Sequence, residues 1–262
     1  MRASWPSTAP DRLARVGARL LDLLYPPRCA LCDALLPAVE AGAPTCAPCR
    51  ERLAFVEPPL CPRCGQPAEK PGAENRVCLR CRNERRYFRA ARSVLRYQDG
   101  ADRLVLDFKF HDQVHLRRFF GGLLRDRFPF PDARYDRIVP VPLHPERLRW
   151  RGYNQSLLLA REVARRVGVP VEAAGFVRVK NTRPQVGLRG LERRTNVRGA
   201  FHARPLAAWE GARLLLVDDV FTSGSTASEC AKVLRIAGAR TVDVLTLARV
   251  AARHDASPGF GE

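Results

Sequence analysis

The sequence predicts an α/β fold with a largely parallel sheet and flanking helices, preceded by a small cysteine-rich module. Two observations predict it. Apolar runs typical of buried strands alternate with amphipathic helical stripes over residues 87–250. Ahead of them, eight of the nine cysteines stand in Cys-x2-Cys pairs. Hydrophobic residues make up 46 % of the 262 residues, which is enough for a globular core and argues against a disordered chain.

We expect four segments along the chain. They are a tail with an amphipathic helix over Asp11–Leu24 (1–24), the cysteine module (25–86), the α/β domain (87–250) and a loose tail (251–262). No apolar run approaches the length of a membrane span, and no convincing signal peptide is present. We therefore expect a cytoplasmic protein without stable membrane insertion, in which cysteine pairs favour metal over disulfides.

The cysteine module is an internal repeat in which a constant shift along the chain maps every cysteine of the first set onto the second. Two Cys-x2-Cys pairs with the same intervening length occur twice, as Cys29, Cys32, Cys46 and Cys49 and again as Cys61, Cys64, Cys78 and Cys81. This spacing predicts two zinc ribbons, and four thiolates per ion leave no open position, so both sites should be structural. Disulfides, redox dithiols and ligands shared between the repeats are the alternatives that the sequence leaves open.

Hydrophobic periodicity places the strands and helices of the α/β domain. Continuous apolar runs or alternation predict strands, and apolar residues three and four apart predict helices. In chain order we expect a strand at Arg89–Tyr97, helices near Ala101–Phe108 and Leu116–Phe128, a strand at Ile138–Pro142, a helix at Leu157–Val167, a strand at Phe176–Val179, a polar segment over 180–200, a strand at Leu214–Val217, a helix at Ala227–Ala237 and a strand at Val242–Leu247. Strands alternating with helices imply a largely parallel sheet.

The strongest functional signal lies where one buried strand ends. Leu214–Val217 runs into Asp218 and Asp219, and a loop of small residues, Thr222–Thr226, precedes the next helix. Backbone N–H groups and the helix dipole at such a junction bind anions, and small residues leave room for a phosphate. The carboxylates suit ribose hydroxyls or a magnesium ion shared with pyrophosphate. An ordinary helix-capping turn is the alternative; a P-loop is excluded because the loop has no lysine.

Two arginine-rich segments supply cations. Pro140–Gln155 follows a strand, precedes a helix and carries Arg147 and Arg151, whose guanidinium groups suit pyrophosphate. Residues 181–198 are polar and punctuated by glycine, and a segment of this kind, with Arg183, is typical of a lid that closes over bound phosphates. A solvated arginine turn and a flexible surface insertion are the respective alternatives.

Together these motifs resemble the ComF family of bacterial competence-associated, phosphoribosyltransferase-like proteins. The resemblance rests on PVPLHPERLRWRGYNQ, on NTRPQVGL and ERRTNVRGAF, on VDDVFTSGST and on the double ribbon, and it covers roughly residues 20–250. It implies a type I phosphoribosyltransferase fold that binds phosphoribosyl pyrophosphate (PRPP), with Asp218 and Asp219 as catalytic acids. The implied PRPP contacts are Thr222, Ser223, Gly224, Ser225, Thr226, Arg147, Arg151, Asn154 and Arg183.

The charge balance bears on partners. Lys plus Arg number 45 against 27 Asp plus Glu, and the resulting net charge of +18 predicts a polyanionic partner, although genome base composition is an alternative source of the arginine excess. Tyr87 and Phe88 are candidates for base stacking or for the core. With the resemblance, we expect a cytoplasmic PRPP-binding protein that handles single-stranded DNA during natural transformation, with two structural zinc sites, magnesium bound with PRPP, and a competence helicase-type protein partner. The alternative is an active phosphoribosyltransferase that transfers ribose 5-phosphate from PRPP to an unidentified base or amine and releases pyrophosphate.

Overall fold

The computed structural model describes residues 26–37, 43–68, 74–110, 113–182 and 190–251. The helix predicted at Asp11–Leu24, the tail beyond residue 251 and Arg183 of the predicted lid lie outside these residues. The chain divides into two compact units, Met1–Glu51 and Arg52–Glu262. The first cysteine set lies in the first unit and the second set lies in the second unit with the sheet; the predicted domain boundaries at residues 24, 86 and 250 stay predictions.

The described elements follow the predicted alternation of strands and helices. The helices are α1 (Ala47–Glu51), α2 (Leu79–Asn83), α3 (Ala101–Phe110), α4 (Leu116–Asp126), α5 (Pro145–Arg151), α6 (Gln155–Val167), α7 (Gly190–Val197) and α8 (Ser225–Ile236). The strands are β1 (Ala91–Arg96), β2 (Arg137–Pro140), β3 (Phe176–Arg178), β4 (Phe201–Ala203), β5 (Arg213–Phe221) and β6 (Thr241–Arg249). In the described part of the chain, no helix combines the length and apolar character needed to cross a membrane.

Four parallel strands in the order β1-β6-β5-β2 form the central sheet, so the predicted α/β fold with a parallel sheet is confirmed. Leu214–Val217 of β5 is fully buried, because helices cover both faces of the sheet and each side chain meets apolar neighbours. β3 and β4 form a separate antiparallel pair. The parallel register brings the carboxyl ends of β2, β5 and β6 to one edge, where open α/β sheets bind ligands.

The predicted lid is partly helical. Residues 181–198 were expected to be a loop, and this is wrong for Gly190–Val197, which forms α7. Val197 is buried in the core, and the backbone N–H of Gly199 donates to the carboxylate of Glu229 on α8 at 2.9 Å. These contacts are tertiary, so the polar sequence of the segment does not reveal them.

The region between the second cysteine set and β1 belongs to the core. Phe88 is buried and packs edge-on against Phe221, with ring centroids 6.1 Å apart. Tyr87 is partly buried, and the guanidinium carbon of Arg85 lies 5.2 Å from its ring centroid. Phe88 is therefore a core residue and has no exposed face on which a base could stack.

Candidate functional site

Each cysteine repeat gathers its four thiols at one point. Within each set the sulfur atoms lie within 4.8 Å of one another, and two of the closest pairs are Cys32–Cys46 at 3.7 Å and Cys64–Cys78 at 3.6 Å. A tetrahedral zinc ion with Zn–S bonds of about 2.3 Å separates its thiolates by roughly 3.8 Å. Both donor sets fit structural zinc, each repeat supplies a complete set, and all nine cysteines of the chain are free of disulfides.

The same backbone turn builds both sites. The N–H of Asp33 donates to the carbonyl of Cys29 at 2.9 Å, and the N–H of Gly65 donates to the carbonyl of Cys61 at 2.8 Å. Asp33 and Gly65 occupy equivalent positions of the two repeats, and both have positive φ, 61° and 70°. A left-handed residue after the first Cys-x2-Cys pair of each set turns the chain sharply, so the sequence repeat is also a structural repeat.

A buried arginine joins the second cysteine set to the sheet. Arg249 ends β6, is 3 % exposed, and donates to the carbonyl of Cys64 and to the side-chain oxygen of Gln66, both at 2.8 Å. Its guanidinium carbon lies 5.2 Å from the ring centroid of Phe221, at the end of β5. Burial lowers the pKa of Arg249, and the neighbouring thiolates favour its charge. Four thiolates around a divalent ion leave a net negative charge, which complements this cation.

A cleft of about 530 Å³ opens at the carboxyl ends of β2 and β5. The acid pair lies at its base, and the small-residue loop, α3 and α5 contribute to its walls. The charged residues that line it are Lys109, Arg147, Arg151, Arg178, Asp218 and Asp219. Four cations against two acids give the cleft a positive balance, which suits a polyphosphate ligand.

The two acids have different environments. The hydroxyl of Ser156 and the N–H of Asp219 both donate to Oδ1 of Asp218, at 3.0 and 2.9 Å. Burial, with the neighbouring charge of Asp219 as the second cause, raises the pKa of Asp218 to about 7. Asp219 instead forms an ion pair with Lys109, at 3.0 Å between Nζ and Oδ1.

The small-residue loop has an open side and a buried side. Thr222 and Thr226 line the cleft, whereas Ser223 and Ser225 are buried and share a hydroxyl–hydroxyl hydrogen bond of 2.8 Å. Gly224 has φ 76°, and a Cβ added there would lie 2.5 Å from Cζ of Phe221. A side chain at Gly224 would therefore displace the Phe221 ring that supports the loop, in addition to straining the backbone.

Two arginines that line the cleft each have an Nε–H group that is buried and has no protein partner among the described residues. Arg178 donates to the hydroxyl of Thr182, and Arg151 donates to the side-chain oxygen of Gln155 at 2.9 Å. Within the described chain, Nε of Arg151 and Nε of Arg178 are buried and without a hydrogen-bond partner. Burial lowers the pKa of both guanidinium groups. Buried donors are nearly always paired, and Arg249 and Arg86 also have groups left unpaired by the described residues, but neither of them lines the cleft. Arg151 and Arg178 do line it, so an anion bound in the cleft can supply the acceptors that their Nε–H groups lack.

The structure brings together most of the predicted site. Arg147 and Arg151 line the cleft with the acids and the loop, and Arg147 also donates to the carbonyl of Thr182. Asn154 does not line the cleft; its side chain caps α6 and donates to the carbonyl of Val141 at 3.1 Å. It acts as a positioning residue in this geometry, because it fixes the start of α6 against the end of β2.

Sequence reasoning missed two charged residues of the cleft. Lys109 reaches Asp219 from α3, and Arg178 reaches the cleft from β3. The available signal for Arg178 was a lone cation within the apolar run Phe176–Val179. Nothing in the periodicity of α3 separates Lys109 from a solvent-facing lysine.

A parallel sheet with an acid pair, a small hydroxyl loop and a helix N-terminus at the end of its central strand defines a phosphoribosyltransferase-like domain. A family model described as "Phosphoribosyl transferase domain" matches residues 154–258, and one described as "Double zinc ribbon domain" matches residues 20–82. The two matches correspond to the cleft region and to the two cysteine clusters.

Curated relatives identify the family. The chain is 32 % identical over 232 residues to competence protein F of Haemophilus influenzae, covering 85 % of this chain and 96 % of the relative. It is 33 % identical to the DNA utilization protein YhgH of Salmonella typhi, with coverage of 87 % and 99 %, and 29 % identical to competence protein ComFC of Bacillus subtilis, with coverage of 84 % and 94 %. The chain belongs to the ComF family and is a phosphoribosyltransferase-like, competence-associated protein.

We expect two zinc ions per chain, and different effects of two matched substitutions. Cys46 and Cys78 are equivalent positions of the two repeats. Cys46→Ser and Cys78→Ser should each lose one zinc ion by elemental analysis. Cys78→Ser alone of the two should lower the melting temperature of the unit that contains the sheet by several degrees, because the second set is bonded to β6 through Arg249, whereas Cys46 belongs to the other compact unit. Zinc-free wild-type protein, or equal losses of melting temperature in both variants, would contradict this.

The raised pKa of Asp218 predicts a pH-dependent instability. The folded carboxyl binds its proton more tightly than the unfolded one, whose pKa is about 3.9, so the free energy of unfolding falls as the pH rises from about 4 to about 7. Asp218→Asn keeps the acceptor for Ser156 and removes the charge. Calorimetry of the ligand-free protein should show a melting temperature a few degrees higher for this variant near pH 8, with little difference below about pH 4.

The control for this experiment is Asp132→Asn, which changes an exposed carboxylate and should leave the pH dependence unaltered. A melting temperature of Asp218→Asn below that of the wild type near pH 8 would show that the charged carboxylate stabilises the fold.

Proposed function

We propose that the cleft binds PRPP together with magnesium, and that the protein handles single-stranded DNA in the cytoplasm during natural transformation. The observation that carries the PRPP assignment is that Arg151 and Arg178 both line the cleft and each has a buried Nε–H group with no partner in the described protein. A polyanion with several oxygens supplies the acceptors that these donors need.

The chemistry of PRPP matches the cleft in three parts. The 5-phosphate suits the backbone of the loop at the start of α8, where Thr222 and Thr226 add hydroxyl donors. The ribose hydroxyls suit the acid pair, which accepts hydrogen bonds. The pyrophosphate suits the arginines of α5 that line the cleft, with Lys109.

Magnesium fits the acid pair on electrostatic grounds. Burial raises the pKa of Asp218, and a divalent cation beside its carboxylate would stabilise the charged form. Carboxylate and phosphate oxygens are the ligands that magnesium prefers, and the ion would neutralise charge on the pyrophosphate. Asp218 is the better candidate of the two acids, because Asp219 is already paired with Lys109.

The DNA-handling part of the proposal rests on charge and on relatives. The net charge of +18 suits a polyanion, and exposed arginines surround the second cysteine set, at Arg63, Arg76, Arg80, Arg82 and Arg85. One relative is named a DNA utilization protein, and two are named competence proteins. A competence helicase-type protein is the protein partner we propose.

A second candidate function is phosphoribosyl transfer. One wall of the cleft is apolar, with Leu106, Phe110 and Val141, so the space beside the acid pair could receive a flat base. Turnover would move ribose 5-phosphate from PRPP to that base or to an amine and release pyrophosphate. Measuring pyrophosphate release with candidate acceptors separates this function from binding alone.

Removing a cleft arginine should weaken PRPP binding. We expect Arg178→Met to lower the affinity roughly 10- to 100-fold, since hydrogen bonds to charged groups contribute about 1.5–3 kcal/mol each. Arg147→Met should also weaken binding, and it serves as a second variant because Arg147 is only partly buried. Isothermal titration calorimetry with PRPP and magnesium, alongside thermal unfolding, measures both effects.

The matched control is Arg235→Met, in the last turn of α8, which removes the same charge from an exposed position. Its PRPP affinity should equal that of the wild type. Wild-type protein that does not bind PRPP with magnesium, or unchanged affinity in both cleft variants, would show that this cleft is not the PRPP site.

A further inference from the structure

One exposed aromatic group beside the cleft is not used by the PRPP assignment. Trp150, at the end of α5, is 71 % exposed, and Phe110, at the end of α3, is 46 % exposed. Their ring centroids lie 6.1 Å apart with an interplanar angle of 55°. Phe110 also lines the cleft. Two adjacent exposed aromatic rings make a small apolar patch bordered by charged residues, which is the kind of surface that binds a ligand.

The pair is held in place by the protein. The hydroxyl of Tyr153, just after α5, donates to the carbonyl of Phe108 on α3 at 2.5 Å. The guanidinium carbon of Arg151 lies 4.8 Å from the ring centroid of Phe110. Both contacts join α3 to the α5 region, so the two exposed rings are arranged before any ligand arrives, and little conformational freedom is lost on binding.

The positive charge beside the two rings favours a ligand that has both phosphates and bases. Trp150 directly follows Arg149 on α5, and Arg149 is exposed and does not line the cleft, so it is not among the arginines assigned to pyrophosphate. Arginines beside an exposed aromatic ring bind the two parts of a single strand, since phosphates pair with guanidinium groups and unpaired bases stack on rings. In a duplex the base faces are already stacked on one another and are closed to Trp150.

We propose that Trp150 and Phe110 form a stacking platform for an unpaired base of single-stranded DNA whose backbone passes Arg149 of α5. The proposal rests on the proposed DNA-handling function and specifies where on the protein the strand docks. Phe110 belongs both to this platform and to the lining of the cleft, so a strand on the platform would lie at the entrance of the cleft, next to bound PRPP.

The test is a titration of the full-length protein with a labelled oligothymidylate at low salt, followed by fluorescence anisotropy. Trp150→Ala should weaken binding roughly 5- to 100-fold, because one stacked base contributes about this much. Trp150→Phe, which keeps an aromatic face, should retain most of the affinity. Since no cation is removed, the salt dependence of binding should stay that of the wild type, whereas Arg149→Met should reduce it.

Two controls address the surface and the ligand. Ile236→Ala removes a residue that is 77 % exposed at the far end of α8, and it should leave DNA affinity unchanged. An oligonucleotide of abasic residues keeps the phosphates but offers no base. It should bind the wild type about as weakly as oligothymidylate binds Trp150→Ala.

Intrinsic fluorescence gives a direct reading of stacking. The chain has three tryptophans, and Trp209 is fully buried. In a Trp5→Phe variant, oligothymidylate should quench the emission saturably, and the quenching should disappear when Trp150 is also replaced by phenylalanine.

Several outcomes would overturn the proposal. If wild type and Trp150→Ala bind DNA with equal affinity, the stacking platform is ruled out while the DNA-handling function still stands. The same conclusion follows if the wild type binds the abasic strand as tightly as oligothymidylate. Thymidine monophosphate binding as tightly as the strand would make this a mononucleotide site. A dimer in sedimentation that Trp150→Ala dissociates would make it a contact between two copies of the chain. Wild-type protein that binds no strand at low salt removes both the platform and the proposed DNA-handling function.

Discussion

The arrangement of the cleft depends on one buried cation, Arg249. Its guanidinium group bonds the carbonyl of Cys64 on one side and faces the ring of Phe221 on the other. Phe221 in turn occupies the space where a side chain at Gly224 would lie. The second cysteine site, the end of β6 and the loop at the start of α8 are therefore one connected set of contacts.

Burying a guanidinium group costs several kcal/mol unless hydrogen bonds and opposite charge compensate for it. For Arg249 the carbonyl of Cys64, the side chain of Gln66 and the thiolates of the second set provide most of that compensation, while its Nε–H has no partner among the described residues. The Nε–H groups of Arg151 and Arg178 are likewise unpaired among the described residues, and the charged form of Asp218 is only partly compensated. The difference between these cations is their position, because Arg249 bonds the second cysteine set, whereas Arg151 and Arg178 line the cleft where a ligand can reach them.

The sequence was sufficient for the features that follow from local pattern. The run Leu214–Val217 reads as apolar because it is buried on both faces, and the constant shift between the two cysteine sets reflects two copies of one turn. The role of Lys109 was not predicted because its ion-pair partner Asp219 is distant in the chain. Helical periodicity carries no information about a contact between residues so far apart in sequence. The helix at Gly190–Val197 was not predicted for a similar reason, because Val197 is buried in a core to which the distant helix α8 contributes.

The attachment of the loop through Arg249 is the central claim, and hydrogen–deuterium exchange tests it most directly. In Arg249→Met, amide exchange should become faster both at residues 221–226 and at Cys61–Gln66, while the exchange of β2 at Arg137–Pro140 stays as in the wild type. Arg235→Met, at the exposed end of α8, should leave all three segments unchanged. Unaltered exchange at residues 221–226 in Arg249→Met would contradict the account, because the loop would then be held independently of the second cysteine site.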